Sequence, residues 1–185
     1  MNTFIVLLRG INVGGKNIIK MEHLRQIFVD MGFSDVKTFI QSGNVVFRTS
    51  ENDKLKLTDK IEKQLRQNFS VEIKTLVLTA DDLEETVKYA PENFGAEPEK
   101  FRYDVWFLLP PTTADKIVPN VRLREGVDFL QAGKNAIYTS RLTSEASRSY
   151  FPKIMQMPFY RSITIRNWNT TTKLLELASV LKAHG

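Results

Sequence analysis

FIQSGNVVF, residues 39–47, has a counterpart in FLQAGKNAIY, residues 129–138. Both hold, in the same order, an aromatic residue, an aliphatic residue, Gln, a small residue, Gly, Asn and a closing aromatic residue, and the second has one inserted residue, Lys134. Apolar residues on both sides of a Gly-containing centre are typical of two strands joined by a tight hairpin. A hairpin pattern that occurs twice predicts a duplicated unit.

The residues around the first hairpin predict the order β-α-β-β-α-β. The apolar patterns predict strands over 4–8, 36–40, 44–48 and 72–78, and helices over 21–31 and 57–69. This order is typical of the ferredoxin-like arrangement. Thr79, with Asp82 three residues later, forms a capping-box pattern that predicts a further helix to about Ala90.

The second half of the chain repeats this order. VWFLLPP at 105–111 corresponds to FIVLLRG at 4–10, residues 163–166 predict a last strand, and Asn169 is predicted to cap a terminal helix. We therefore predict an α+β fold of two ferredoxin-like β-α-β-β-α-β repeats, each followed by an extra helix and closely packed. The repeats are predicted to span 1–92 and 93–185 and to form one compact structure.

The loop RGINVGGKNIIK, residues 9–20, distinguishes the two copies. From Leu8 to Ile40 the first copy uses about 32 residues, whereas the second uses about 21 from Leu109 to Leu130. Because the second copy closes without such a loop, folding does not require it. Binding groups concentrate on loops carried by rigid scaffolds, so the comparison predicts a functional site here.

The chemistry of this loop favours an anion. Gly10 followed by Gly15-Lys16 nearly matches a nucleotide-binding P-loop, but Asn17 replaces the metal-binding hydroxyl and the helix begins only near Met21. A P-loop is therefore disfavoured. Gly14 and Gly15 offer exposed amides, and Arg9 and Lys16 offer charge, which fits another kind of anion-binding loop. The alternative is a mobile loop, or a turn that packs against the other unit.

Two further segments are candidates for the same site. Asn169, Thr170 and Thr171 open a helix and follow Arg166, although the same residues suit a purely structural cap, and Trp168 is more typical of a packing anchor than of a stacking platform. The hairpin offers Ser42 and Asn44, although a tight turn alone favours such residues. One interpretation of SEASRSYF, 144–151, starts a helix at Arg148 and Ser149, where both residue types are also routine.

Composition limits the chemistry. The chain has no Cys and two His, His23 and His184, which excludes disulfides and thiolate sites and leaves little for a zinc site or a His-based triad. No paired carboxylate and no basic-aromatic signature of an RNA-stacking sheet can be singled out. We predict no metal and no cofactor, and the sequence identifies no catalytic residue.

Charge and hydropathy indicate the class of partner. The net charge is +5, with +3 over 1–50, −4 over 51–119 and +6 over 120–185, which favours nucleic acid or a phosphorylated small molecule. No apolar run reaches the roughly 20 residues that span a bilayer, and the N-terminus MNTFIVLLRGIN lacks the features of a signal peptide. We therefore expect a cytoplasmic protein without a membrane partner; its oligomeric state stays open.

Three motifs, RGINVGG, QSGNV and RNWNT, together resemble a widespread bacterial family known as domain of unknown function 1697. The resemblance covers the whole chain and implies a duplicated ferredoxin-like α+β fold, but no activity. Its characteristic residues correspond here to Arg9, Gly10, Asn12, Gly14, Ser42, Asn44, Arg166, Asn167, Trp168 and Asn169. The family's Arg-Ser-Lys is matched by Arg148 and Ser149, but Tyr150 replaces the Lys.

The function favoured by these residues is binding of an anionic ligand, either nucleic acid or a phosphorylated small molecule. The predicted ligand-binding residues are Arg9, Asn12, Gly14, Gly15, Lys16, Ser42, Asn44, Arg166, Asn167, Asn169, Thr170 and Thr171. This hypothesis requires the three segments to converge. Two alternatives remain, an enzyme acting on a nucleotide or phosphorylated substrate and a structural or oligomerising module.

Overall fold

Two four-stranded antiparallel sheets with interleaved helices form a mixed α+β architecture in the computed structural model, which describes residues 1–12 and 18–183. The strands are β1 (Asn2–Leu8), β2 (Ser34–Phe39), β3 (Asn44–Thr49), β4 (Thr75–Thr79), β5 (Phe101–Leu108), β6 (Asp128–Ala132), β7 (Ala136–Leu142) and β8 (Ile163–Asn167). The α-helices are α1 (Met21–Asp30), α2 (Lys54–Phe69), α3 (Ala80–Lys88), α4 (Ala114–Ile117) and α5 (Trp168–Ala183). Among the described residues, no helix has both the length and the apolar character that crossing a bilayer requires.

The strand orders of the two sheets are the same. The first sheet has the order β2-β3-β1-β4 and the second has β6-β7-β5-β8, with every neighbouring pair antiparallel. The predicted duplicated α+β fold is confirmed. The chain divides into two compact units, one formed by Met1–Glu84 with the segment from Lys173 onward and the other by Glu85–Thr172. The repeat boundary between 92 and 93 stays a prediction.

The first unit has a core of strand and helix side chains. Residues 4–8 of β1 are all buried, as the continuous apolar run predicts for a central strand. The apolar stripe of α1 (Leu24, Ile27, Phe28) and that of α2 (Leu57, Ile61, Leu65) are buried as well. Burial of each such side chain contributes roughly 1.5–3 kcal/mol, so these stripes fix both helices in the unit.

Capping residues explain where α2 and α3 begin. Asp53 accepts hydrogen bonds from the amides of Leu55 and Lys56 at the start of α2. At the start of α3, the hydroxyl of Thr79 accepts from the amide of Asp82 (3.0 Å), and the carboxylate of Asp82 accepts from the amide of Thr79 (2.8 Å). This reciprocal pair is the capping box that the sequence predicts.

The second unit has shorter helical connections between its strands. After the four-residue α4 comes a 3-10 helix (Val118–Asn120), and three more 3-10 helices (Thr143–Arg148, Phe151–Gln156, Pro158–Ser162) connect β7 to β8. Arg148 ends one of these 3-10 helices, and the hydroxyl of Ser149 accepts from the amide of Phe151 (3.1 Å) at the start of the next, so the helix considered at Arg148 and Ser149 is a short 3-10 helix that begins at Phe151. Pro152 and Pro158 each lack an amide and sit in the first turn of a new helix, so the chain starts new helical turns here instead of extending one.

The extra length of the first copy precedes its first helix. Residues 9–20 separate β1 from α1, whereas only 109–113 separate β5 from α4. The sequence comparison therefore placed the insertion in the right connection. Residues 13–17 of this loop, which include the predicted anion-binding residues Gly14, Gly15 and Lys16, lie outside the described residues.

Candidate functional site

Two of the three candidate segments meet in the first unit. The side-chain amide of Asn12 donates to the carbonyls of Gln41 (2.7 Å) and Ile19 (3.0 Å), and its oxygen accepts from the amide of Ile19 (2.7 Å). The amide of Leu8 also donates to the carbonyl of Gly43 (2.8 Å). Asn12 therefore joins the two ends of its loop and ties that loop to the hairpin.

The hairpin residues are part of this packing. Asn44 is fully buried, and its amide group donates to the carbonyl of Phe39 (2.9 Å) and the hydroxyl of Ser42 (3.0 Å). A Cβ atom on Gly43 would lie 2.5 Å from Cδ1 of Ile11. These contacts give Asn44 and Gly43 a structural role. A direct ligand contact by Ser42 or Asn44 stays a prediction, and for Asn44 it would require the hairpin to open.

The third candidate segment lies at the junction of β8 and α5 in the second unit. Asn167 ends β8 and Trp168 begins α5, so no loop separates the strand from the helix. The side-chain oxygen of Asn167 accepts from the amide of Thr170 (2.7 Å), and the hydroxyl of Thr171 donates to the carbonyl of Asn167 (3.0 Å). The prediction that Asn169 caps this helix is therefore wrong. Asn167 is the cap, and Asn169 is an exposed residue of the first turn.

A pocket of about 220 Å³ lies at the start of α5. It forms because β8 pairs with β5 only from Asp104 onward, so residues 101–103 extend beyond the end of β8. The lining residues are Gly95, Pro98, Phe101, Arg102, Tyr103, Thr143, Asn167, Trp168 and Asn169. Because free amides and the positive end of the dipole lie at a helix N-terminus, this position favours an anion.

The cation in this pocket is Arg102, which is not among the residues predicted from the sequence. Its side chain is 56% exposed, and its Nε donates to Asp104 (2.9 Å). The signal was the alternation FRYD at 101–104, which extends β5 four residues before the apolar run taken as its start. Asp104 holds Arg102 in place but also offsets part of its charge.

Arg166, the predicted cation of this segment, does not line the pocket. Only 6% of it is exposed, and its guanidinium donates to the hydroxyl of Thr164 (3.0 Å) and the carbonyl of Ile165 (2.8 Å). Burial lowers the pKa of Arg166 to about 10, so it keeps its charge at neutral pH. Thr170 and Thr171 are also buried. Ligand contacts by these three residues stay predictions.

An aromatic surface adjoins the pocket. Phe101 and Tyr103 also line a second cavity of about 340 Å³, together with Phe94, Phe129 and Tyr138. Phe129 is 46% exposed, and its ring lies 5.8 Å from that of Phe101. The sequence shows no local aromatic signature because these rings come from three strands and a connecting segment, which are distant in sequence.

Trp168 is held by packing, as the sequence favoured. Its ring meets that of Phe94 edge to face with centroids 5.0 Å apart, and a Cβ on Gly95 would overlap the indole. The other predicted residues divide between the units. Arg9, Asn12, Ser42 and Asn44 belong to the first, and Arg166 to Thr171 belong to the second. Their convergence on one site stays a prediction.

The duplicated sheets place the chain among α+β proteins of ferredoxin-like topology. Within that class, it belongs to the family described as "Protein of unknown function (DUF1697)", which matches residues 1–138. It is also similar to the conserved bacterial protein SP0830 from Streptococcus pneumoniae, with 30% identity over 96% of this chain and 98% of the other and a TM-score of 0.83. No curated protein matches the chain.

Proposed function

We propose that the protein binds an anionic, phosphorylated ligand in the pocket at the start of α5. The observation that carries this proposal is the meeting of the first turn of a 16-residue helix with the exposed guanidinium of Arg102. The helix start supplies partial positive charge, and the guanidinium of Arg102 adds a cation whose charge Asp104 offsets in part. No carboxylate is among the residues that line the pocket, although Asp104 accepts a hydrogen bond from Nε of Arg102.

The aromatic surface beside the pocket favours a ligand that also carries a base. Stacking of a base on an aromatic side chain contributes about 1–3 kcal/mol. The rings of Phe101 and Phe129 are in contact with each other, with their centroids 5.8 Å apart. A nucleotide, either free or part of a single-stranded nucleic acid, would place its phosphate near Arg102 and its base toward these rings. Arg9 and Lys16 of the loop remain predicted contributors of charge.

Calorimetric titration with a mononucleotide, a sugar phosphate and a single-stranded oligonucleotide tests the proposal. Arg102→Gln should weaken binding about 10- to 100-fold, since a hydrogen bond to a charged group contributes roughly 1.5–3 kcal/mol. Lys134→Gln, which removes an 81% exposed cation outside the pocket, is the matched control. Equal affinities of both variants and the native chain would refute the site.

A second variant separates binding from stability. Asn169→Asp places a negative charge in the first turn of α5, where it should stabilise the helix by about 0.3–1 kcal/mol. The same charge should repel an anion in the pocket. We expect a higher melting temperature together with weaker binding, whereas tighter or unchanged binding would count against an anionic ligand.

A further inference from the structure

Three cations lie against a single tyrosine ring in the second unit and form a cationic cluster (Arg122, Arg124 and Lys153 at Tyr150). None of these residues lines the pocket at the start of α5, called the α5 pocket below. The guanidinium carbons of Arg124 and Arg122 lie 4.6 Å and 5.3 Å from the ring centroid of Tyr150, and Nζ of Lys153 lies 5.2 Å from it. Any two of these charges are therefore at most about 10 Å apart, which is close to the Debye length at 0.1 M salt. Salt at that concentration therefore weakens their mutual repulsion but does not abolish it.

No carboxylate pairs with these cations in the part of the chain that the structure describes. The ion pairs formed by described residues include none of Arg122, Arg124 and Lys153. One tyrosine ring attracts an exposed cation by only about 0.5–1 kcal/mol. The cluster therefore holds positive charge that a bound anion would neutralise.

A buried carboxylate, that of Asp128, fixes the backbone that carries the cations. Asp128, 4% exposed, accepts hydrogen bonds from the amides of Arg124 (3.0 Å) and Tyr150 (2.9 Å) and from the hydroxyl of Ser149 (2.5 Å). The amide of Lys153 donates to the carbonyl of Tyr150 (2.9 Å). The backbone that carries the cations is thus fixed before any ligand arrives, and Asp128 forms its hydrogen bonds with that backbone and with Ser149.

An apolar cavity of about 190 Å³ opens beside the cations. Arg122, Tyr150 and Lys153 line it, together with Asn120, Val121, Ile154, Gln156 and Met157. An apolar cavity of about 150 Å³ in another protein accommodates benzene, so this one has room for a ring or a short alkyl chain. It shares no residue with the pocket at the start of α5.

We propose that this cavity is a second ligand site, which binds an organic phosphate monoester. The phosphate lies among Arg122, Arg124 and Lys153, and the ring-sized organic group lies against Val121, Ile154 and Met157. A phosphate monoester carries about 1.5–2 negative charges at neutral pH, which suits three cations that form no ion pair with a described carboxylate better than a single carboxylate ligand does. The site goes beyond the proposed function because neither its cations nor its apolar wall belong to the α5 pocket.

The test uses phenyl phosphate, inorganic phosphate and phenol, each titrated into the full chain by calorimetry. We expect phenyl phosphate to bind about 10-fold or more tighter than inorganic phosphate, because burial of the ring adds affinity. Phenol should show no binding. Equal affinity for phenyl phosphate and inorganic phosphate would overturn the apolar part of the site, and tight binding of phenol would overturn the anionic part.

Substitutions of single cations show which of the two pockets binds phenyl phosphate. Arg122→Gln and Lys153→Gln should each weaken phenyl phosphate binding about 3- to 10-fold, as expected for loss of one charge near a partly exposed anion. Lys100→Gln, an exposed cation outside the cavity, should leave it unchanged. If Arg102→Gln abolishes binding while Arg122→Gln does not, the ligand occupies the α5 pocket and this second site is refuted. If only the cluster variants weaken binding, the second site stands independently of the first.

Discussion

The two sheets have the same strand order but different helical partners. In the first unit, α1 and α2, of 10 and 16 residues, pack their apolar stripes into the core. In the second, the corresponding connections hold the four-residue α4 and short 3-10 helices. The topology is therefore carried by strand pairing, and the connections vary around it. The cavity beside Ile154 lies among these less regular connections of the second unit.

The largest effect on stability should come from truncating one buried isoleucine in a helix of each unit. Ile61 of α2 is fully buried, whereas Ile154 lies in a 3-10 helix and lines a cavity. We expect Ile61→Ala to lower the free energy of unfolding by about 3–5 kcal/mol and Ile154→Ala by about 2 kcal/mol. Urea denaturation of the full chain measures both. Equal losses would mean that the irregular connections pack as tightly as the long helices.

The two hairpins offer the next comparison, at the corresponding glycines Gly43 and Gly133. Gly43 has a φ of +72°, and a Cβ atom there would meet Leu8 and Ile11. Gly133 is not in the left-handed region, and a Cβ atom there would meet Tyr138. Gly43→Ala should cost about 1–2 kcal/mol more than Gly133→Ala, because only Gly43 adds the left-handed penalty to a steric one. Thermal unfolding of both variants decides this. A more costly change at Gly133 would contradict the comparison.

A smaller effect should separate the two asparagines at the start of α5. Asn167→Ala removes the cap on the amide of Thr170 and should cost about 1 kcal/mol. Asn169→Ala removes no cap and should change stability by less than about 0.5 kcal/mol. The melting temperatures of both variants provide the measurement. The reverse order would restore Asn169 as the cap.

The smallest effect is a pH dependence that differs between α3 and α5. Burial raises the pKa of Asp82, but the hydrogen bonds from Lys54 and from the amide of Thr79 outweigh it, so the pKa lies below its ordinary value of 3.8. This stabilisation is present above 3.8 and is lost as the pH falls through the folded-state pKa. The neutral cap Asn167 has no such transition.

We therefore expect acid to weaken the cap of α3 and to leave that of α5 intact. Asp82→Asn should cost less than about 1 kcal/mol near neutral pH and should flatten the pH dependence below about pH 4. Amide exchange measured over the first turn of each helix follows the two caps separately. Equal acid sensitivity of both turns would contradict the assignment to Asp82.

Sequence patterns predicted most of this architecture because burial on one face imposes a period. The apolar residues of α1 and α2 show that period directly. The continuous apolar run of β1 indicated a strand buried on both faces, and the Thr79 and Asp82 pair showed where α3 begins. The 3-10 helices were missed because turns of three to six residues are too short to show one. The site was predicted only in part. Asn167 and Asn169, which the sequence predicted, line the pocket. Arg102 also lines it but lies in β5, and no local sequence pattern shows which strands become neighbours in the sheet.

The direct passage from β8 into α5 has a consequence for how quickly a ligand can bind. If a mobile segment must close over a pocket after the ligand arrives, this conformational change lowers the association rate constant. Here Phe101, Arg102 and Tyr103 of the pocket wall lie in β5, and Trp168 and Asn169 lie in α5. A ligand of the α5 pocket should therefore associate in a single step, at a rate proportional to its concentration and without a plateau from a slow rearrangement.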